Sequence, residues 1–344
     1  MPKGIAHFSS GELAQVLSHY DVGVIHQVKP LSAGGRRAPK IVIVSQQGKF
    51  LLKRRPKTKS GLNHTVFAHA VQIHLAKKDF PVASLVPARD GGSTILQVGN
   101  HVYELFEFVT GVRYDGSVKA TADAGRQLAK LHRALADFTA KSKLSESTFH
   151  DSSTVRRHLK TTGAKKTRRP NKKLQETAEA LMTLYNASSV CVNELGFDSW
   201  RRQVVHGDWH PGNMLFSRRR LIAVLDFDSL MLAPAVTDLA NGMLQFSIVG
   251  GRPNPANWPA YLDQAKLVQF LNGYRQVSKL KKSQLDSLLD LMIETMIAEA
   301  ILPIAATGFF GHLTVTGLDF LKMIRRKVEW LNKNRKKLIE AIGS

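Results

Sequence analysis

The stretch Val204 to Ala240, VVHGDWHPGNMLFSRRRLIAVLDFDSLMLAPAVTDLA, decides how the rest of the chain is read. Apolar Val204 and Val205 lead into His206-Gly207-Asp208, Asn213 follows five residues after Asp208, and Asp226 stands thirteen beyond Asn213 at the end of an apolar run. Asn213 to Ser217 and Leu221 to Asp226 have the residue types of two short strands, so a strand–turn–strand would carry Asp226 back beside Asn213. One tight loop then presents a carboxylate and an amide oxygen, and the returning strand adds a second carboxylate. Phosphoryl transfer from a nucleoside triphosphate needs such a set: a carboxylate aimed at the attacking hydroxyl, and an amide oxygen and a carboxylate that hold Mg²⁺ on the phosphates. Two other readings compete. His206 and His210 flank Asp208 as a transition-metal site might, but Pro211-Gly212 breaks the helix that would align them. The acids could be ordinary caps and turn formers, a reading that five coincident positions argue against.

Working outward, the first hundred residues alternate β-rich runs with turn signals: Lys40 to Ser45, Phe50 to Lys53 after Gly48, Thr94 to Val98, and Val102 to Val109. Asn63 to Lys77 has apolar residues at helical spacing and predicts one helix within that region. From Ala120 the periodicity is almost wholly helical: Ala120 to Leu135, Lys173 to Val192, Ala235 to Ile248, Tyr261 to Val277, Ser283 to Ile301 and Leu318 to Ile342. A β-rich lobe followed by a helical one, with Thr110-Gly111 at the passage, is an α+β two-lobe plan with a cleft. The expected division is residues 1–110 for the first lobe and 111–344 for the second.

Composition narrows the class. The chain has 344 residues, 43% hydrophobic and 22% charged, the profile of a globular protein with a sizeable core. Its 49 Lys and Arg against 27 Asp and Glu leave +22, which attracts phosphate, nucleic acid, anionic lipid or acidic ligands without choosing among them. Nine of the basic residues fall in Thr154 to Lys173, which holds no acid and is broken by Gly163 and Pro170. This predicts a basic insertion, a helix end passing into a loop, suited to contact with an anionic surface. It lacks the aromatic residues that stack on bases, which weighs against nucleic acid. The lone Cys191 forms no internal disulfide, and the N-terminus lacks the apolar core of a signal peptide, so a cytoplasmic protein is expected. Leu291 to Val315 is apolar but carries Glu294, Glu299 and Pro303, which reads as buried helix and not as a transmembrane segment.

The His206-to-Asn213 and Leu225-to-Asp228 motifs resemble the HGDxHxxN and (I/L)DF(D/E) signatures of the aminoglycoside phosphotransferase and choline kinase group, relatives of protein kinases. The resemblance implies a protein-kinase-like fold and an ATP- and Mg²⁺-dependent phosphotransferase. Asp208 would be the catalytic base or hydroxyl-orienting carboxylate, His206 a brace for its loop, and Asn213 and Asp226 the Mg²⁺ ligands. Asp228 takes the second acidic position, where it would orient the loop or the acceptor, and Asp238 would anchor a helix N-terminus beside the loop. In the first lobe, Gly34 and Gly35 would form the phosphate-cradling turn with Arg36 and Arg37 beside it, Lys53 would meet the α- and β-phosphates, and backbone groups of Glu107 and Val109 would read the adenine edge. Gly125 to His132 matches the family's helix before the catalytic loop. The resemblance spans about Leu31 to Ala240.

One departure stands out. Related kinases fix the strand lysine with a Glu on the following helix, yet no Glu occurs between Glu12 and Glu104, and the helix Asn63 to Lys77 offers only His64, His69, Gln72 and His74 as polar candidates, so Lys53 must be positioned otherwise, by Asp226 or by the phosphates. The acceptor expected is a hydroxyl of a small molecule such as a sugar, amino alcohol or lipid-linked saccharide. The alternatives are a protein Ser/Thr kinase of the same fold, and a catalytically weak nucleotide-binding scaffold whose basic surface holds nucleic acid or anionic lipid.

Overall fold

A computed structural model describes residues 8–31, 38–139, 146, 148–162, 171–250, 254–309 and 316–343. Five antiparallel strands form the first sheet, in the order β1-β2-β3-β5-β4: β1 (Ile25–Leu31), β2 (Lys40–Ser45), β3 (Gly48–Pro56), β4 (Leu96–Val98) and β5 (His101–Glu107). α1 (Ser10–Leu17) packs on one face of this sheet and is tied to it by Arg54, whose guanidinium donates to both oxygens of Glu12 at 2.7 and 2.8 Å. Tyr103 on β5 donates to the same carboxylate at 2.7 Å. α1 and β1 escaped the sequence reading, because α1 is only eight residues long and β1 shows no apolar alternation, being exposed along almost its whole length.

α2 (Lys59–Ala76) starts four residues before the expected Asn63, at the Thr58 cap whose hydroxyl accepts the Gly61 N–H at 3.1 Å. It leans on the helical lobe: Phe67, Ala68, Val71 and Leu75 join that lobe's core, and the His74 ring bonds the Ala134 carbonyl at 2.9 Å.

The helical lobe is built on α3 (Val118–Ala134), α5 (Lys172–Glu194), α6 (Ala235–Ser247), α7 (Gln264–Arg275), α9 (Leu288–Thr307) and α10 (Gly317–Lys333), with shorter α4 (Ser153–Thr161), α8 (Lys282–Asp286) and α11 (Arg335–Gly343). α3 and α7 approach so closely that a Cβ on Gly125 would lie 2.0 Å from the Phe270 carbonyl oxygen, and one on Gly273 1.9 Å from that of Ala122. Leu128, Leu131 and Leu271 are fully buried in this lobe, each contributing about 1.5–3 kcal/mol over an exposed position. Two expected helices are each broken in two, at Ser287 between α8 and α9 and at Asn334 between α10 and α11. Sequence periodicity continues across both breaks, which is why they were not foreseen.

α9 buries its carboxylates in pairs, Glu294 against His150 at 2.8 Å and Glu299 against Asn241 and Gln245. No helix among the described residues is long and apolar enough to cross a membrane. Of the basic segment, α4 and the start of α5 are described, and residues 163–170 lie outside the described residues. Two small antiparallel pairs complete the lobe: β6 (Arg202–Val205) with β9 (Met231–Pro234), and β7 (Met214–Ser217) with β8 (Arg220–Val224).

Candidate active site

The loop that carries Asp208 leaves β6 and is gripped from behind by a buried carboxylate. Asp238, in the first turn of α6, accepts the backbone N–H of His206 at 2.7 Å and of Gly207 at 2.8 Å, and its Oδ2 lies 3.3 Å from His132 Nε2. Asp238 thus stands at the N-terminus of α6 beside the loop, and its carboxylate is spent on the loop itself. Gly207 turns there with φ +75°, and a Cβ would meet the Ser229 carbonyl oxygen at 2.2 Å.

His206 is wholly buried. Its Nδ1 accepts the Asp208 N–H at 3.3 Å and its Nε2 lies 3.3 Å from the Leu225 carbonyl, which suits a neutral ring protonated on Nε2. Burial lowers its pKa and keeps it neutral. The ring thus joins the Asp208 backbone to the segment carrying Asp226.

Asp208 points into the open, its side chain 40% exposed. Asn213 donates its amide to Asp208 Oδ2 at 2.9 Å and to the Asp208 carbonyl at 3.2 Å. His210 Nε2 lies 3.5 Å from the same Oδ2, while its Nδ1 accepts the Gly212 N–H at 3.0 Å. Burial alone would raise the Asp208 pKa, but the His210 hydrogen bond and charge outweigh it and hold the carboxyl below its ordinary range. The effect is reciprocal: burial opposes charge on His210, and Asp208 prevails and raises its pKa. His206 and His210 point to different partners, so no His pair forms, and no cluster of three or more His, Cys, Asp or Glu suited to a metal occurs among the described residues.

The hairpin returns the chain as the spacing implied. Met214 pairs with Val224, and the Leu225 N–H donates to the Asn213 carbonyl at 2.8 Å, which seats Asp226 beside Asn213. Asp226 takes φ +60°, a backbone conformation that only a surrounding network sustains. The hairpin is stitched to the passage between the lobes through reciprocal Val112–Phe216 bonds at 2.8 Å, and to the first lobe through Val224 N–H to the Pro81 carbonyl at 2.9 Å.

Lys53, Asn213, Asp226 and Asp228 line one cleft with a cavity of about 460 Å³, within the usual range for small-molecule sites. Lys53 Nζ is 3.6 Å from Asp226 Oδ1 and 3.1 Å from Asp228 Oδ2. Glu107 and Val109 border the far wall. The Glu107 N–H is spent on the Ser84 carbonyl at 2.9 Å, so of its two backbone groups only the carbonyl is open to a ligand. Gly34, Gly35, Arg36 and Arg37 lie outside the described residues.

Several groups at the site were not foreseen. Arg55 donates through both Nη atoms to Asp228 at 2.7 Å each and through Nε to buried Glu104, which also meets His69 Nε2 at 2.9 Å. A signal for Arg55 was present: strand side chains alternate, so Lys53 and Arg55 share the cleft face while Arg54 faces Glu12. Glu104 stands directly opposite Lys53 in the β3–β5 register. On the other side of Asp208, Glu299 is held by Asn241 at 2.8 Å and Gln245 at 2.5 Å, and burial pushes its pKa up to about 7.

The phosphotransferase enzyme family matches residues 27–280, about three quarters of the chain. The chain belongs to this family. As a member it is an enzyme of the kinase type. No curated protein matches it in sequence. Among solved structures, it superposes on an amicoumacin kinase in complex with AMP-PNP, Ca²⁺ and its ligand with TM-score 0.69 and 15% identity, over 94% of this chain and 93% of that one. An aminoglycoside phosphotransferase from Alicyclobacillus acidocaldarius gives 0.69 and 16%, covering 98% of this chain and 99% of that one. A microcompartment-associated aminopropanol kinase gives 0.69 and 16%, covering 96% and 98%. At these identities the likeness bears on the fold: a sheet-based first lobe over a helical second one.

Proposed function

We propose that the enzyme moves the γ-phosphate of ATP to a hydroxyl of a small molecule, such as a sugar, an amino alcohol or a lipid-linked saccharide. The observation that carries this reading is the meeting of Asn213, Asp226 and Lys53 on one cleft that Glu107 and Val109 also line, with Asp208 held next to it by the Asn213 amide. Asp208, ionised and oriented by the Asn213 amide, receives the acceptor hydroxyl and takes its proton as the acceptor oxygen bonds to the γ-phosphorus, while the bond from that phosphorus to the β–γ bridging oxygen breaks and ADP leaves. Lys53 draws the α- and β-phosphates, and the Glu107 carbonyl with the Val109 backbone reads the adenine edge. Phosphate contacts by the Gly34-Gly35 turn belong to the same proposal.

The residues present suit Mg²⁺. Asn213 spends its amide N–H on Asp208, which leaves its Oδ1 for a cation, and Asp226 adds a carboxylate exposed to the cleft; both are hard oxygen donors. When bound, Mg²⁺ would neutralise charge on the β- and γ-phosphates. Two neighbours are named as kinases of amicoumacin and of aminopropanol, which supports a small-molecule acceptor over a protein one.

The test is ATP turnover with Mg²⁺ across a panel of hydroxyl compounds, run with the wild type and with Asp208→Asn. Asn keeps the size of the side chain but cannot accept the proton, so kcat should fall by about 10²–10⁴-fold with at least one acceptor. Absence of turnover across the panel, or undiminished turnover by the variant, would overturn the reading.

A further inference from the structure

We infer that Arg55 is a positioning residue for the nucleotide end of the cleft, acting through Asp228 in place of the helix glutamate that this chain lacks. The inference rests on the phosphotransferase reading and adds a residue to it.

The contacts form an unbroken relay from α2 to Asp226. His69 Nδ1 lies 2.8 Å from Thr94 Oγ1, and His69 Nε2 lies 2.9 Å from Glu104 Oε2. The other Glu104 oxygen takes the Arg55 Nε–H. Arg55 then grips Asp228 with both Nη atoms at 2.7 Å, and Asp228 Oδ2 sits 3.1 Å from Lys53 Nζ. Lys53 ends the relay 3.6 Å from Asp226. α2 also reaches the same point directly, through His64 Nε2, 2.7 Å from the Asp228 carbonyl. Two imidazoles on α2 thus contact the loop and the relay that hold Lys53, on the helix where related kinases place one carboxylate.

The geometry demands an arginine. A guanidinium offers five N–H groups in a rigid plane, so Nε on one carboxylate and both Nη on another fix the two acids relative to each other. A lysine could meet either acid but could not set their angle. Glu104 is only 2% exposed, and a carboxylate so buried needs a cation; Lys53, directly across the ladder, is turned instead to Asp226 and Asp228. Asp228, doubly held, is committed to Lys53 and Arg55 and not to an acceptor. Since Asp226 lies two residues earlier with φ +60°, anchoring Asp228 at both its side chain and its carbonyl sustains that strained turn.

A rival role is direct: Arg55 lines the cleft and could touch phosphate itself. A double-mutant cycle separates the two. Affinity for the ATP analogue AMP-PNP with Mg²⁺ is measured by calorimetry for the full chain, Arg55→Met, Arg55→Lys, Asp228→Asn and the Arg55→Met/Asp228→Asn double variant, with thermal unfolding in parallel. Each of Arg55→Met and Asp228→Asn should weaken binding by about 10–100-fold, as loss of an outer partner of a ligand set does. The double variant should be no weaker than the weaker single one, and Arg55→Lys should recover part of the loss. Asp228→Asn leaves Glu104 matched by Arg55, so it tests the relay even if Arg55→Met fails to fold. Unchanged affinity in Asp228→Asn, or losses that multiply in the double variant, would overturn the positioning role while leaving the phosphotransferase reading intact. A wild-type chain that binds no Mg²⁺–AMP-PNP would instead remove the reading beneath it, and this inference with it.

Discussion

Asp208 and Asn213, which meet in the catalytic loop, are five residues apart in sequence, whereas the charges on the opposite wall of the cleft are assembled from segments separated by 49 to 175 residues. The loop is held from one side by a single buried acid, Asp238, acting on backbone N–H groups. The opposite wall is held by side chains acting on side chains, Glu104 to Arg55 to Asp228 to Lys53. Backbone anchoring makes the loop's shape independent of which side chain follows Gly207, so Asp208 can stay partly exposed and free for chemistry. Side-chain anchoring makes every charge on the other wall depend on its neighbours, so a change at one residue spreads. The two walls should therefore fail differently.

The largest loss should come from the buried acid behind the loop. Asp238→Ala leaves the His206 and Gly207 N–H groups and the His132 ring without their buried acceptor, so unfolding free energy should fall by about 3–5 kcal/mol, with activity lost even where the chain stays folded. Urea unfolding checks it; a loss under about 1 kcal/mol would mean that the loop is held elsewhere and the contrast between the walls is false.

Next is Gly207→Ala. The new Cβ would stand 2.2 Å from the Ser229 carbonyl oxygen at a backbone angle of +75°. Left-handed strain and overpacking together should remove about 2–4 kcal/mol. The loss should exceed that of an alanine at Gly212, whose added Cβ would meet only the side chain of His210, in the same unfolding assay.

These two anchors also mark what could be read in advance. Asp208, Asn213 and Asp226 were legible because one loop and the hairpin that follows it carry them, and Met214 pairing with Val224 converts spacing into proximity. The long amphipathic helices were legible for the same local reason. The meeting of Arg55, Glu104 and His69 was not, since only the β3–β5 register and the placement of α2 bring them together. The absence of a helix Glu was visible, but what stands in its place could not be found without the sheet. Breaks such as Ser287 and Asn334 were hidden because apolar periodicity runs on through them.

The smallest expected effect sharpens the comparison at a third point, where α6 and α9 meet behind Asp208. Glu299 is joined to residues 54 and 58 positions away, so it belongs with the assembled groups rather than the local ones. Burial, reinforced by the charge of Asp208 and opposed by Asn241, Gln245 and His210, raises its pKa from 4.5 to about 7. A carboxyl whose pKa is higher folded than unfolded favours folding when protonated. The penalty for ionising it is absent below about pH 4.5, grows as pH rises toward 7, and is complete above that. Full linkage sets a ceiling of about 3 kcal/mol, and relaxation of the site should leave about 1–2 kcal/mol. Glu299→Gln removes the ionisation, so the stability of the variant relative to wild type should climb between pH 5 and pH 8. The glutamine also exchanges an acceptor for a donor facing Asn241 or Gln245, but that cost is the same at every pH and shifts the difference without tilting it. The slope is therefore the measurement, taken from urea unfolding at several pH values. A flat difference would mean that Glu299 is already ionised at pH 5, its two amides outweighing its burial, and that an assembled acid here behaves as the local Asp208 does.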